Sequence, residues 1–186
     1  MRPHKAKSLR LSEDFAVAAR RGLHSAWTKR PLARSEPEVI SIPRIRVWAR
    51  IIPLGLNPDG TAAVPPLARP YLASWFDRGP TPGLRGTAVL FGHVDARKVA
   101  PAVFYRIGAL RPGNLIYVTL RDRQVAAFAV YSVALYRKSA FPSGAVYRYT
   151  RRPTLRLITC GGTFDRRTRH YPGNIVVFAR FLGARG

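Results

Sequence analysis

Short segments rich in β-branched and aromatic residues, separated by turns rich in proline and glycine, dominate the chain from Val39 onward. Segments of this length and composition are typical of β-strands. The clearest are IRVWARII (45–52), TAVLFGH (87–93), LIYVTL (115–120), QVAAFAVYSVALY (124–136), TLRLITC (154–160) and NIVVFARFL (174–182). About eight short strands, few helices and no repeats predict an all-β domain that forms a closed or nearly closed barrel.

The connections between these segments carry further predictions. NPDG (57–60) has proline and glycine at the second and fourth positions, as a type I turn prefers, and we expect TAAV (61–64) to return from it as a strand. We expect one short helix in YLASWFD (71–77), which lies among loops. Residues 115–120 and 124–136 are expected to pair as a hairpin.

The first 37 residues differ from the rest of the chain. Apolar residues from Leu11 to Leu23 recur at helical spacing, and Ser12 is placed to cap such a helix. Residues 28–37 are polar, contain two prolines and are typical of a linker. We therefore expect a helical appendage and linker in residues 1–37 and a β-barrel domain in residues 38–186.

The chain is strongly basic, with 32 Lys and Arg against 9 Asp and Glu and a net charge of +23. Such a charge favours nucleic acid, anionic lipid or anionic polymer as a partner. The positive charge is nevertheless spread along the chain without a basic tail, and most of it comes from arginine. A basic barrel that binds nucleic acid or an anionic polymer without catalysis therefore stays one of two functional hypotheses.

The longest apolar run, Val125 to Tyr136, is shorter than the about 20 residues that a membrane-spanning helix needs. No membrane span and no signal-peptide core are therefore expected in this chain. The single cysteine, Cys160, excludes an internal disulfide. The nine acidic residues are scattered, so we expect no metal, no calcium dependence and no cofactor.

Cys160 and His93 each end a predicted strand beside glycine, where a side chain can face a ligand. A thiol of this kind is either a nucleophile or a buried, inert group, and His93 is either its acid and base or a structural residue. Thr159 and Cys160 point to opposite faces of the strand, so one of them can face a cleft. Asp95 can hold His93 in one tautomer or serve as a turn residue.

A cation near the thiol would stabilise the charge that develops during acyl transfer. The segment FDRRTRHYPGN (164–174) offers Arg166, Arg167 and Arg169 for this role, and at least two of them must belong to a solvated loop. His170 is a weaker candidate for a base.

The segment TLRLITCGGTFDRRTRHYPGNIVVFA resembles the sortase signature T-L-x-T-C with one added residue. Its Cys-Gly-Gly-x-Phe-Asp continuation and its His-Tyr-x-x-Asn-x-Val-Val ending are similar to class F sortases of actinobacteria. Residues 53–65, 78–95 and 140–147 agree with that family in content and order, so the resemblance covers residues 38–182. The Ser-His-Gly-Cys context of L,D-transpeptidases is absent.

The resemblance implies an eight-stranded barrel and a cysteine transpeptidase. Cys160 would cleave an L-P-x-T-G sorting signal after threonine and pass the thioester to an amine, commonly of a cell-wall precursor. His93 would exchange protons with the leaving and incoming amines, and Thr159 would support substrate positioning. Such an enzyme works outside the cytoplasmic membrane, and we expect a monomer that binds no nucleic acid.

The resemblance leaves the catalytic arginine open. Asn174 stands where the arginine of other sortases is found, and Pro172 stands where class F members often have one. Arg169 is our first choice, with Arg166 second.

Overall fold

The computed structural model describes residues 27–96 and 101–186. Eight strands form the framework of this part of the chain. They are β1 (Pro37–Ile42), β2 (Val47–Leu54), β3 (Ala73–Phe76), β4 (Thr87–Gly92), β5 (Leu115–Leu120), β6 (Val125–Arg137), β7 (Thr154–Gly161) and β8 (Gly173–Arg185). The helices are three single turns of 3-10 helix (Pro43–Ile45, Ile107–Ala109 and Lys138–Ala140) and one α-helix, α1 (Ser143–Val146).

The strands form one closed barrel in the order β1-β2-β3-β4-β7-β8-β6-β5, with β5 paired to β1. Closure pairs both edges of every strand, so the barrel has no free sheet edge. Most neighbours are antiparallel, whereas β2–β3 and β4–β7 are parallel. The predicted eight-stranded all-β barrel is therefore confirmed.

The parallel pair β4–β7 lies in the part of the wall that is buried on both faces. Its register runs from Thr87 beside Thr154 to Phe91 beside Ile158, a constant offset of 67 residues. Alternate residues such as Leu90 and Leu157 face the barrel interior. Phe91 and Ile158 face outward, where they join Val89, Val146 and Val176 in a second apolar cluster. Burial on both faces explains why these strands are almost continuously apolar in sequence.

Two local predictions are wrong. YLASWFD (71–77) contains strand β3 instead of a helix, because Ala73–Phe76 pairs with β2 on one side and β4 on the other. TAAV (61–64) forms a single bridge, from Leu56 to Ala62, instead of a strand. The partner that such a strand would need is missing, since β2 pairs with β3.

The turn at residues 57–60 and the β5–β6 hairpin are confirmed. The Gly60 N–H donates to the Asn57 carbonyl at 2.9 Å, which closes the expected turn at residues 57–60. Strands β5 and β6 pair as an antiparallel hairpin. Within the described ranges, no helix is long and apolar enough to cross a membrane.

The helix expected between Leu11 and Leu23 lies outside the described residues. The segment from residue 27 to 36 lies against the barrel. Thr28 bridges to Ala184 in β8, and Leu32 packs into the main core. The division at residue 37 stays a prediction.

Gly92 ends β4 where the chain passes closely under the connection between β4 and β5. A Cβ atom on Gly92 would lie 2.6 Å from side-chain atoms of both Phe104 and Val103. We expect Gly92→Ala to lower the free energy of unfolding by about 1–3 kcal/mol, the usual cost of overpacking a core.

Gly144 in α1 is the matched control, because a Cβ there has no atom within 4 Å. Urea unfolding of both variants measures the effect, with Gly144→Ala expected to be neutral or slightly stabilising. Equal stability of the two variants would contradict the prediction.

Candidate active site

His93 follows directly after β4, and hydrogen bonds to the neighbouring loops hold both its backbone and its ring. Its carbonyl accepts the Phe104 N–H at 2.9 Å. Its ring Nε2 lies 2.6 Å from the Pro65 carbonyl oxygen. A carbonyl only accepts, so Nε2 carries a proton and Nδ1 is the atom of the neutral ring that can accept one. The Pro65 carbonyl therefore has the orienting role that we considered for Asp95.

Cys160 lies near the end of β7 and is half-buried. The last ladder pair between β4 and β7 is Phe91 with Ile158. Continuing the same register by two residues brings His93 alongside Cys160. Residues two apart on a strand share a face, so both side chains lie on the outer face that carries Phe91 and Ile158. The extended register thus aligns the two residues that the sequence singled out for the chemistry.

Thr159 lies on the opposite, inner face of β7. It is 3% exposed, and its hydroxyl has no hydrogen-bond partner among the described residues. Cys160, and not Thr159, is therefore the residue that faces outward. The expected role of Thr159 in substrate positioning stays a prediction, and it would act through β7 and not by direct contact.

The loop between β7 and β8 carries the candidate cations. Asp165 organises it by accepting the backbone N–H groups of Arg167 at 2.8 Å and Thr168 at 3.2 Å. These two bonds are the main reason that the pKa of Asp165 is lowered. Arg169 adopts a left-handed backbone with a φ of 58°. Like Arg166, Arg167 and His170, it is exposed, so the structure does not single out one arginine.

Tyr171 and Asp95 form a contact that no sequence pattern indicates. The Tyr171 hydroxyl donates a hydrogen bond to Oδ2 of Asp95, and the two residues are 76 positions apart. The Tyr171 ring packs on Phe164 with a centroid distance of 5.1 Å. The hydrogen bond to the Asp95 carboxylate, with smaller contributions from burial and from nearby Cys160, raises the pKa of Tyr171 to about 12.

Two further features border the thiol. Asn174 in β8 is the direct cross-strand partner of Cys160, and it is half-buried. The next pair is Gly161 with Gly173, where a Cβ on Gly161 would lie 2.5 Å from Ile175. Beside Cys160, strand β8 therefore presents the amide side chain of Asn174, and the next pair consists of two glycines without side chains.

A groove with a volume of about 630 Å³ lies along the outer face of β4. Its lining is mainly apolar and aromatic and includes Phe76, Val89, Tyr147 and Tyr149. Val89 is four residues before His93, a distance of about 13 Å along a strand. One wall is fixed by the Thr87 hydroxyl, which donates to the Arg148 carbonyl at 2.6 Å. His93 and Cys160 are not among the residues that line this groove.

The described part of the chain contains no group of three or more His, Cys, Asp or Glu side chains that could hold a metal ion.

The sequence profile of the Sortase domain matches residues 40–182. The chain belongs to the sortase family. Sortases are cysteine transpeptidases that anchor surface proteins and act at the cell surface, and this chain is an enzyme of that kind. No curated protein sequence matches it significantly.

Solved sortase structures share the fold of this sortase. Sortase A of Listeria monocytogenes has a TM-score of 0.60 at 15% identity over 82% of this chain and 90% of its own. A lid mutant of sortase A from Corynebacterium diphtheriae gives 0.60 at 15% identity over 81% and 72%. The sortase D5 transpeptidase of Clostridium perfringens gives 0.58 at 19% identity over 80% and 79%.

The raised pKa of Tyr171 predicts how stability depends on pH. The folded chain keeps this proton up to about pH 12, whereas the unfolded chain loses it near the usual value of 10.0. The stabilising contribution is complete below the unfolded pKa and is lost as pH rises from 10 toward 12.

We therefore expect the difference in unfolding free energy between wild type and Tyr171→Phe to shrink between about pH 9 and about pH 11.5. Urea unfolding at a series of pH values measures it. A difference that stays constant over this range would contradict the assignment.

Proposed function

We propose that this sortase is a class F enzyme that cleaves an L-P-x-T-G sorting signal after threonine through a thioester on Cys160. The observation that supports the proposal is the β4–β7 register, which aligns His93 with Cys160 when it is continued by two residues. Class F is supported by the Cys-Gly-Gly-x-Phe-Asp sequence after β7 and by the His-Tyr-x-x-Asn sequence before β8.

The first half of the reaction forms the acyl-enzyme. Nδ1 of His93 takes the thiol proton, and the Cys160 sulfur attacks the threonine carbonyl carbon. The bond between this carbon and the glycine nitrogen then breaks, and His93 returns the proton to the leaving amine. Because Nε2 is held by the Pro65 carbonyl, the same nitrogen serves both proton transfers.

The second half transfers the acyl group. An incoming amine loses a proton to His93 as it attacks the thioester, and the carbon–sulfur bond breaks. The proton then returns to the Cys160 thiolate, so the enzyme regains its starting state. The acceptor that we propose is an amine of a cell-wall precursor.

The groove along β4 suits the part of the signal that precedes the cleaved bond. That part stays attached to Cys160 through both halves of the reaction, whereas the leaving part must give way to the acceptor. The apolar lining, with Val89 and Phe76, favours apolar residues of the signal.

Arg169 is our candidate for the cation that stabilises the oxyanion or holds the substrate backbone. It lies on the loop that joins β7 to β8 and is exposed, so it is free to approach a bound peptide. Arg166 is the second candidate on the same loop. Thr159 would support this arrangement from the inner face of β7.

We propose that the enzyme is associated with the membrane at the cell surface and acts as a monomer. The monomer is supported by the closed barrel, which leaves no unpaired edge for a second copy to extend. The family match disfavours a basic barrel that binds nucleic acid without catalysis, although the chain is highly charged.

Removing the nucleophile or the base tests the central claim. Cys160→Ala should abolish cleavage of a fluorogenic L-P-x-T-G peptide, and His93→Ala should lower kcat by at least about 10²-fold, since the base acts in both halves of the reaction. Mass spectrometry of the wild type should show an acyl adduct on Cys160. Full activity of Cys160→Ala would end the proposal.

The choice of arginine is tested separately. Arg169→Ala should lower kcat by about 10²-fold if this side chain binds the oxyanion. Arg180→Ala removes an exposed arginine near the far end of β8 and serves as the matched control, with kcat unchanged. Near-wild-type turnover of Arg169→Ala with a collapse in Arg166→Ala would assign the role to Arg166.

A further inference from the structure

The hydrogen bond between Tyr171 and Asp95 joins the two chain segments that carry the catalytic side chains. We propose that Asp95 and Tyr171 are positioning residues that hold His93 in register with Cys160 during acyl transfer. This inference deepens the proposed function and rests on it.

The segment that carries His93 needs such a connection, because the β4–β7 ladder ends before it. The last ladder pair is Phe91 with Ile158, so His93 lies beyond the paired region. In the described residues, the His93 carbonyl accepts the Phe104 N–H and the Val94 carbonyl accepts the Ala102 N–H. These partners belong to the connection between β4 and β5 and not to the strand that carries Cys160.

Asp95 links the segment that carries His93 to the loop between β7 and β8. Asp95 lies two residues after His93 and accepts a hydrogen bond from the Tyr171 hydroxyl. Tyr171 lies two residues before β8 begins at Gly173. Tyr171 is also near enough to Cys160 for the charge of the thiolate to affect its pKa. Among the described residues, this is the side-chain hydrogen bond that ties the His93 segment to the loop following Cys160.

The surroundings keep the Tyr171 hydroxyl protonated at neutral pH. Asp95, Cys160 and Tyr105 are the titratable groups that affect the Tyr171 hydroxyl, and all of them raise its pKa. The hydroxyl therefore stays protonated and remains a donor. A hydrogen bond to a charged acceptor is stronger than one to a neutral acceptor.

Phe164 fixes the tyrosine ring independently of the hydroxyl. The two rings pack at 5.1 Å with an interplanar angle of 58°. Tyr171→Phe therefore keeps the ring packing and removes only the hydrogen bond. Asp95→Asn keeps an oxygen that accepts the bond and removes the charge. The two substitutions separate the geometry of the pair from its negative charge.

The experiment measures kcat and KM for cleavage of an L-P-x-T-G peptide by the full chain and its variants. We expect Tyr171→Phe to lower kcat by about 10-fold with little change in KM, because misplaced catalytic groups slow chemistry more than they weaken binding. Asp95→Asn should have a smaller effect on kcat. Asp95→Ala combined with Tyr171→Phe should be no worse than Asp95→Ala alone, since both remove the same bond.

Tyr105→Phe is the matched control. It removes a hydroxyl that lies near Tyr171 and forms no hydrogen bond among the described residues, so kcat should stay at the wild-type value. Unchanged kcat in Tyr171→Phe, or additive losses in the double variant, would overturn the proposal. An equal loss in Tyr105→Phe would also overturn it.

A second measurement does not need a sorting peptide. The rate of Cys160 alkylation by iodoacetamide, followed against pH, reports how His93 affects the thiol. Loss of the pair should slow alkylation near neutral pH, because Nδ1 of a displaced His93 no longer takes the proton of the Cys160 thiol. An unchanged profile in Tyr171→Phe would overturn the positioning role. Absence of peptide cleavage by the wild type would overturn the proposed function alone.

Discussion

The parallel pairing of β4 with β7 is the constraint on which the rest of the site depends. Parallel strands run in the same direction, so their carboxyl ends meet at one edge of the wall, and His93 and Cys160 both lie there. The pairing is stabilised by apolar side chains on both faces. Leu90 and Leu157 pack inside the barrel, while Phe91 and Ile158 pack under the connection that contains α1. The chemistry is therefore placed by core packing.

Strands β4 and β7 could be predicted from sequence because burial on both faces gives them continuous apolar runs. The hairpin of β5 and β6 could be predicted as well, since its partners are neighbours in the chain. Strand β3 could not, because four residues beginning at Ala73 are too few to show a period and become a strand through pairing with β2 and β4. Tertiary pairing of this kind overrides local preference.

Some residues of the candidate site could also be predicted from the sequence, and others could not. Cys160 and His93 could be found because each follows a recognisable strand and lies beside glycine. The contact of Asp95 with Tyr171 depends on how two loops meet, and no local pattern reports that. The choice between Arg169 and Arg166 as the cation near Cys160 stays open, because arginine in this chain also has structural roles. Arg156 is 4% exposed, and its guanidinium stacks on Phe178 at 4.6 Å, where burial lowers its pKa.

The long separation of His93 and Cys160 in the chain has a consequence for folding. Contacts between distant residues close large loops and tend to form late and slowly. Cys160 therefore comes alongside His93 only when β7 enters the wall beside β4. Since the sequence has one cysteine, a disulfide formed by Cys160 before that step can only link two chains or a chain to a small thiol. Faster closure of the barrel would therefore shorten the time in which Cys160, the proposed nucleophile, can form such a disulfide.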